Sequence, residues 1–240
     1  MCLVSFSLSH DGKAILTSNR DEAPSRSAEN LNSEDLQHQK ILYPKDTKGG
    51  SWFVIGSHGS AAIILNGAFQ IHKRHLPYRI SRGIMLKQMF EFNNPHDFIR
   101  DYNFMNIEPF TMVIYSEGNS EGNLLELRWD GSKKFIEILD VSKCHIWSSC
   151  TLYNEEKQQK RESIFRTQLK QTSKITSEVM LDIHLTGSIG DKENDFVMNR
   201  ENRVKTMSVT QAIVDDSVVS LNYKNLIFNV DLHQSMAIEK

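Results

Sequence analysis

The 240-residue chain sets 28 Lys and Arg against 30 Asp and Glu, a formal charge of −2 that argues against a dedicated nucleic-acid surface. With 39% hydrophobic and 24% charged residues it reads as a soluble globular protein, long enough for one domain (1–240) with a sizeable core. Three cysteines make no disulfide framework, no apolar run approaches a membrane span, and the first apolar stretch lacks the basic lead-in of a signal peptide, so the cytoplasm is the expected location.

The chain opens on two apolar runs joined at Asp11-Gly12, a strong short-range hairpin signal. With those two as the loop, His10 pairs with Lys13 and Cys2 lies opposite Asp21, one residue from Arg20. Removal of Met1 is expected before a residue as small as Cys2, and would leave a thiol and an α-amine on one residue. A thiol with a pKa of about 8.5 beside an amine of about 7.7 to 8.0 can be deprotonated without a separate histidine. Arg20 would favour the thiolate and Asp21 could orient the amine. The bland alternative is a small apolar Cys2 in an edge strand, with Arg20 and Asp21 a solvated pair.

Residues 23–39 are polar and turn-rich and read as a loop, with a short helix at 33–39. A second hairpin spans 49–66, with His58-Gly59 as its turn and Ser57 pairing with Ser60. Gly49-Gly50 ahead of it suits a close backbone approach. Asn66 ends a strand of Ala61 to Leu65. Its amide could be a neutral oxyanion donor, or Asn66-Gly67 could simply be a turn.

Residues 70–82 form the densest basic segment, with His72, Lys73, Arg74, His75, Arg79 and Arg82. It is either a solvated face or a cationic mouth attracting a carboxylate, phosphate or coenzyme A thioester. His72 and His75 lack further ligands at metal spacing, so no metal is expected. Helices are predicted over 80–93 and 95–102, where Ile84, Met85, Met89 and Phe90 share one face.

Strands follow at 111–115, 124–129 and 134–139, the last two joined at Asp130-Gly131, and at 144–150. Cys144, His145 and Cys150 lack a fourth ligand and read as buried residues. Helices are predicted at 154–171 and 177–185, then a polar loop at 191–203. A strand at 206–214 alternates Thr206, Ser208 and Thr210 on one face. A closing strand at 218–223 and a packed tail around Ile227, Phe228 and Val230 end the chain.

Met1-Cys2, Ser18-Asn19-Arg20-Asp21-Glu22, Arg26, Gly49-Gly50-Ser51-Trp52, Gly59 to Asn66 and Ser81-Arg82-Gly83 occur in the order seen in the NRDE family, that of transport and Golgi organisation protein 2. More distantly, the leading Cys and the Asn closing a later strand are similar to penicillin V acylase and bile salt hydrolase. The resemblance implies an α+β fold, a four-layer αββα sandwich of two antiparallel sheets, as in N-terminal nucleophile hydrolases. It implies Cys2 as nucleophile with Arg20 and Asp21, and Asn66 as oxyanion donor. Ser149 stands where those acylases carry a second oxyanion Asn, and Arg200 or Arg203 where they carry a late arginine. Asn19, Arg26, Trp52 and Arg82 are the expected substrate-binding set. Near 206–210, Met207 and Val209 replace a family Arg and Asn.

Two functions follow from the resemblance. One is an N-terminal cysteine hydrolase of a non-peptide amide or thioester, a small-molecule acyl substrate, with no cofactor. The other is a non-catalytic protein that binds or handles an acyl lipid, acyl-CoA or haem in the same cleft.

Overall fold

The computed structural model describes residues 3–118 and 122–239. Strands β1 (Leu3–Leu8) and β2 (Ala14–Glu22) form the opening hairpin, followed by β3 (Leu31–Asp35), β4 (Lys40–Pro44), β5 (Phe53–Gly56) and β6 (Ser60–Asn66). Helices α1 (Arg82–Gln88) and α2 (Pro95–Asp101) come next, then β7 (Phe110–Ser116), β8 (Leu124–Trp129), β9 (Lys134–Ile138) and β10 (His145–Ser148). Helices α3 (Glu155–Gln171) and α4 (Ser177–Thr186) precede β11 (Asn199–Arg200), β12 (Val204–Val214), β13 (Val218–Asn225) and β14 (Val230–Ala237).

The strands make two antiparallel sheets. One runs β10-β1-β2-β12-β13-β14 with β11 on β12, and the other is a meander from β3 to β9. Their inner faces bury Phe6, Leu16, Phe53, Ile63 and Val113 in one core. Helices α3 and α4 cover the outside of the first sheet, where Leu3 and Ile15 meet Phe165 and Met180. Met85, Leu86, Met89 and Phe90 seat α1 and the turn after it on the second. The result is the αββα sandwich that the sequence resemblance implied. Among the described residues no helix is long and apolar enough to cross a membrane.

Both hairpin registers differ from expectation by one residue. Leu8 pairs with Ala14 and Leu3 with Asn19, leaving three residues between Ser9 and Lys13, and Gly12 takes φ +87°. Gly56 pairs with Ser60, and Gly59 takes φ +69°. A glycine in the left-handed region at the third loop position closes a three-residue hairpin, which an Asp-Gly or His-Gly pair alone does not reveal. The expected opposition of Cys2 and Asp21 depended on the other register, and Cys2 lies outside the described residues.

Three further expectations are corrected. The helix at 33–39 is absent, and β3 and β4 form there instead, anchored by buried Ile41, Leu42 and Tyr43. The C-terminal tail is β14, paired to β13 along its length, and Phe228 is exposed. Finally, the register of β12 against β2 shifts between Thr206, opposite Asp21, and Ser208, opposite Arg20. The bulge ends the alternation of Thr206 with Ser208 and sends them to opposite faces.

Candidate active site

Alternation along β2 decides what its Asn19-Arg20-Asp21-Glu22 motif can reach. Leu16 faces the inter-sheet core and Ile15 the helices, so Arg20 points between the sheets and Asn19 and Asp21 point at α3 and α4. Adjacent residues therefore serve different layers.

Arg20 is buried, 3% exposed, with its guanidinium carbon 4.1 Å above the centre of the Trp52 ring. It donates to Asp46 Oδ2 and to the Arg26 carbonyl. Burial pushes this guanidinium down from its ordinary pKa, and Asp46 opposes the shift. Asp46 is equally buried and also accepts Arg26 at 2.7 Å, while Glu22 accepts the other Arg26 nitrogen at 2.5 Å. One carboxylate thus holds two arginines, a demanding arrangement for buried charge. Asp46 is itself fixed by a turn: Gly49 N–H donates to its carbonyl at 2.8 Å and Lys48 N–H to its Oδ1 at 2.8 Å, with Gly49 at φ +84°.

The glycine motifs explain how Trp52 is placed. A Cβ on Gly83 would lie 2.6 Å from the Ser51 carbonyl oxygen, and one on Gly50 3.0 Å from the Gly83 carbonyl carbon. The start of α1 therefore lies directly on the backbone before β5, and Ser51 N–H donates to Gly83 at 3.1 Å. Ser51 Oγ donates to the carbonyls of Pro44 and Phe53 at 2.9 and 2.8 Å. Trp52, packed against Tyr223, is held at the inner sheet face, and its Nε1 has no hydrogen-bond partner among the described residues.

These groups line a cavity of about 500 Å³. Of the residues singled out in the sequence, Arg20, Arg26, Trp52, Asn66 and Arg82 line it. Asn66 ends β6, and Gly67 after it takes φ +80°. The chain turns at Asn66-Gly67, and Asn66 is among the residues that line the cavity.

Ser149 lies behind this wall. Its hydroxyl donates to the Asn66 carbonyl at 2.8 Å and pairs with Thr151 Oγ1 at 2.9 Å, so it supports Asn66 from behind. Asp21 accepts Thr206 Oγ1 at 2.6 Å and Tyr153 Oη at 2.9 Å on the helix side. Asn19 is committed to structure there: it donates to the carbonyls of His184 and Phe196 at 2.9 and 2.7 Å and pairs with His184 Nδ1. His184 Nε2 in turn meets Ser5 Oγ at 2.7 Å, and burial holds this imidazole down to about 3. Arg200 bonds the Leu152 carbonyl and Asn194, and Arg203 pairs with Glu201; neither lines the cavity.

The basic segment divides between the cavity wall and the exposed surface. Arg74 and Arg82 reach the cavity and share Glu108, at 3.0 and 3.1 Å, with His72 beside them at 3.3 Å. Lys73 and His75 stay exposed. Burial lowers the Arg82 guanidinium from its ordinary pKa, and Glu108 counters it. Among the described residues, Arg20, Arg26, Lys48, Arg74 and Arg82 line the cavity against Glu22, Asp46 and Glu108, which leaves these walls positive. Among the described residues no group of acidic, His and Cys side chains could hold a metal. Asp46 and Glu108 are the site residues that sequence reasoning missed, although Asp46 stands just ahead of the Gly49-Gly50 pair.

A two-sheet sandwich covered by helices on both outer faces, entered by a short first strand, is the fold of the N-terminal nucleophile hydrolases. Solved structures agree. A Caenorhabditis elegans ortholog of N-acylethanolamine-hydrolyzing acid amidase superposes with a TM-score of 0.60 at 10% identity, covering 88% of this chain and 92% of that one. A mutant conjugated bile acid hydrolase from Clostridium perfringens gives 0.57 at 8% identity, covering 100% and 97%. Penicillin V acylase from Agrobacterium tumefaciens gives 0.54 at 8%, covering 98% and 86%. The model of the family Transport and Golgi organisation 2 matches residues 1–219, and the chain belongs to that family. No curated protein matches this sequence.

Proposed function

We propose that the protein is an N-terminal cysteine hydrolase that cleaves a non-peptide acyl amide or a thioester through an acyl-enzyme. The observation that carries this reading is the meeting of Arg20, Trp52 and Asn66 at one cavity, in a fold whose named neighbours are amide hydrolases. Cys2 immediately precedes β1 in sequence.

In this mechanism the Cys2 α-amine takes the thiol proton and sulfur attacks the substrate carbonyl carbon. The resulting oxyanion accepts from the Asn66 amide, a neutral donor that needs no reorganisation as charge develops. Collapse expels the amine or thiol leaving group, which receives the proton held by the α-amine. Water then attacks the acyl-thioester, releases the carboxylic acid and restores the thiol. Arg20 is held by Asp46 and Trp52, and contributes a fixed positive charge that favours thiolate. Asp21, braced by Tyr153 and Thr206, is assigned to orient the amine. The positive walls suit a substrate that also carries a carboxylate or phosphate.

A second reading has one observation in its favour. The Ser149 hydroxyl is spent on the Asn66 carbonyl, which leaves Asn66 without the second donor of the acylases and suits a protein that holds an acyl ligand without cleaving it. A screen of N-acyl amides, lactams and acyl thioesters separates the two. Release of free acid that disappears in Cys2→Ala supports the hydrolase. Saturable binding with no acid released supports the carrier.

A further inference from the structure

Strand β9 closes one edge of the second sheet and pairs only with β8 among the described residues. All five of its residues are exposed, including Phe135, Ile136 and Ile138 at 43%, 52% and 61%. Proteins ordinarily blunt such an edge with proline, a bulge or an outstanding lysine. Here the strand has neither proline nor bulge. The Lys134 ammonium is turned back onto its own fold, since its Nζ donates to the Ile99 carbonyl at 2.6 Å and lies near the Phe104 ring, which leaves Lys133 and Glu137 as the exposed charges of this edge. The apolar surface continues into Phe69, 53% exposed, which packs edge-to-face on Phe135 at 4.9 Å.

From this edge we infer that β9 is a self-association surface, on which a second copy of this chain adds its own β9 antiparallel about a two-fold axis. The hydrogen-bond phase of the strand restricts how this can happen. Leu139 N–H donates to Leu124 and Asp130 N–H to Lys133 O, and Arg128 stands opposite Phe135 and Glu126 opposite Glu137. Bonded pairs alternate in an antiparallel ladder, so residues 133, 135, 137 and 139 face β8. Lys134, Ile136 and Ile138 therefore point their backbone groups outward.

A two-fold mate must match outward groups to outward groups, which removes every second register. Charge selects among those left. With Ile136 on the axis, Phe135 meets Glu137 and no charge is paired; with Glu137 on the axis, two carboxylates meet. With Phe135 on the axis, Lys133 of each copy stands beside Glu137 of the other, and Lys134 and Ile136 exchange backbone hydrogen bonds. Opposite charges facing across strands are favourable, and an isologous interface makes each contact twice. The second sheet then runs on from one copy into the other, with Phe69 and Phe135 of both copies at the axis.

One added strand buries less than a standard interface, so the dimer is weak, with Kd on the order of 100 μM. Sedimentation of the full chain from about 5 μM to about 500 μM should show monomer giving way to dimer. Ile136→Pro removes an outward N–H without touching a bond to β8, so it should abolish the dimer and leave the far-ultraviolet spectrum and Tm near those of the parent. Glu137→Lys should weaken association at least tenfold, and Lys133→Glu with Glu137→Lys should restore it. A parent chain still monomeric at the highest concentration overturns the proposal, as does a dimer indifferent to both single variants. A folded double variant that fails to recover overturns the Phe135-centred register.

Discussion

The Arg20 guanidinium lies 4.1 Å above the Trp52 ring, and both reach that position through backbone devices far apart in sequence. Arg20 comes from the hairpin, and Trp52 from the glycine contact that lays α1 on the strand before it. The guanidinium also pairs with Asp46, which neither motif contains.

Removing the Asp46 charge tests that arrangement. Asp46→Asn leaves Arg20 without its counter-ion at a site 3% exposed, and breaking such a buried pair from one side costs about 3 kcal/mol. Urea unfolding should show that loss with an unchanged m-value. A change below about 0.5 kcal/mol would mean that Trp52 and the Arg26 carbonyl suffice to hold the guanidinium.

Gly83→Ala puts a methyl 2.6 Å from a backbone oxygen that has nowhere to go. Overpacking of this kind costs about 1–3 kcal/mol, and relief requires α1 to lift from the Gly50–Trp52 segment. Trp52 fluorescence should shift and Tm should fall. In contrast, a Cβ on Gly12 meets nothing within 4 Å, and only its φ of +87° opposes Gly12→Ala, at a cost of about 1 kcal/mol.

Much of this architecture is legible in the residues. The hairpins and the strands from 111 to 139 show themselves through turn pairs and short apolar runs, and α3 through a long polar stretch with a narrow apolar seam. The register of the hairpins is not legible, because two-residue and three-residue loops share the same Asp-Gly text and differ only in which position turns left-handed. Strand β3 hides because Asn32, Ser33, Glu34 and Asp35 form a polar edge with no apolar alternation to betray it. In the site, the motif residues with side chains between the sheets reached the cavity. Asn19 did not, since strand alternation sends the neighbour of Arg20 to the helix layer. Glu108 left no local signature and Asp46 only its place ahead of Gly49-Gly50, because a lone carboxylate acquires its role from arginines brought in by the fold.

The polar chain from Ser5 through His184 to Asn19 predicts a pH dependence. The folded imidazole is held down to about 3 by burial, against an ordinary value of 6.5. Between these limits the unfolded chain binds a proton that the folded chain does not, so stability rises with pH across that window and is lost as pH falls from about 6.5 toward 3. The slope approaches about 1.4 kcal/mol per pH unit from this group. His184→Gln should flatten that part of the stability curve. An unchanged slope would assign the acid sensitivity to other groups.

Asn66→Ala removes the proposed oxyanion donor and should lower the rate of acid release by about 10²–10³, with little change in substrate binding. Ser149→Ala acts only through the Asn66 carbonyl, so it should cost about 1 kcal/mol of stability and a smaller part of the rate. Equal losses in both variants would move the oxyanion contact away from the Asn66 amide.

The most direct measurement is intact mass and peptide mapping of natively expressed protein after brief exposure to an electrophilic acyl probe at neutral pH. Burial pushes the Cys144 and Cys150 thiols up from their ordinary pKa, so both should react slowly. The account predicts a chain that begins at Cys2, carries one acyl group on that residue, and loses it in Cys2→Ala. A chain that keeps Met1, or labelling spread equally over Cys144 and Cys150, would contradict it.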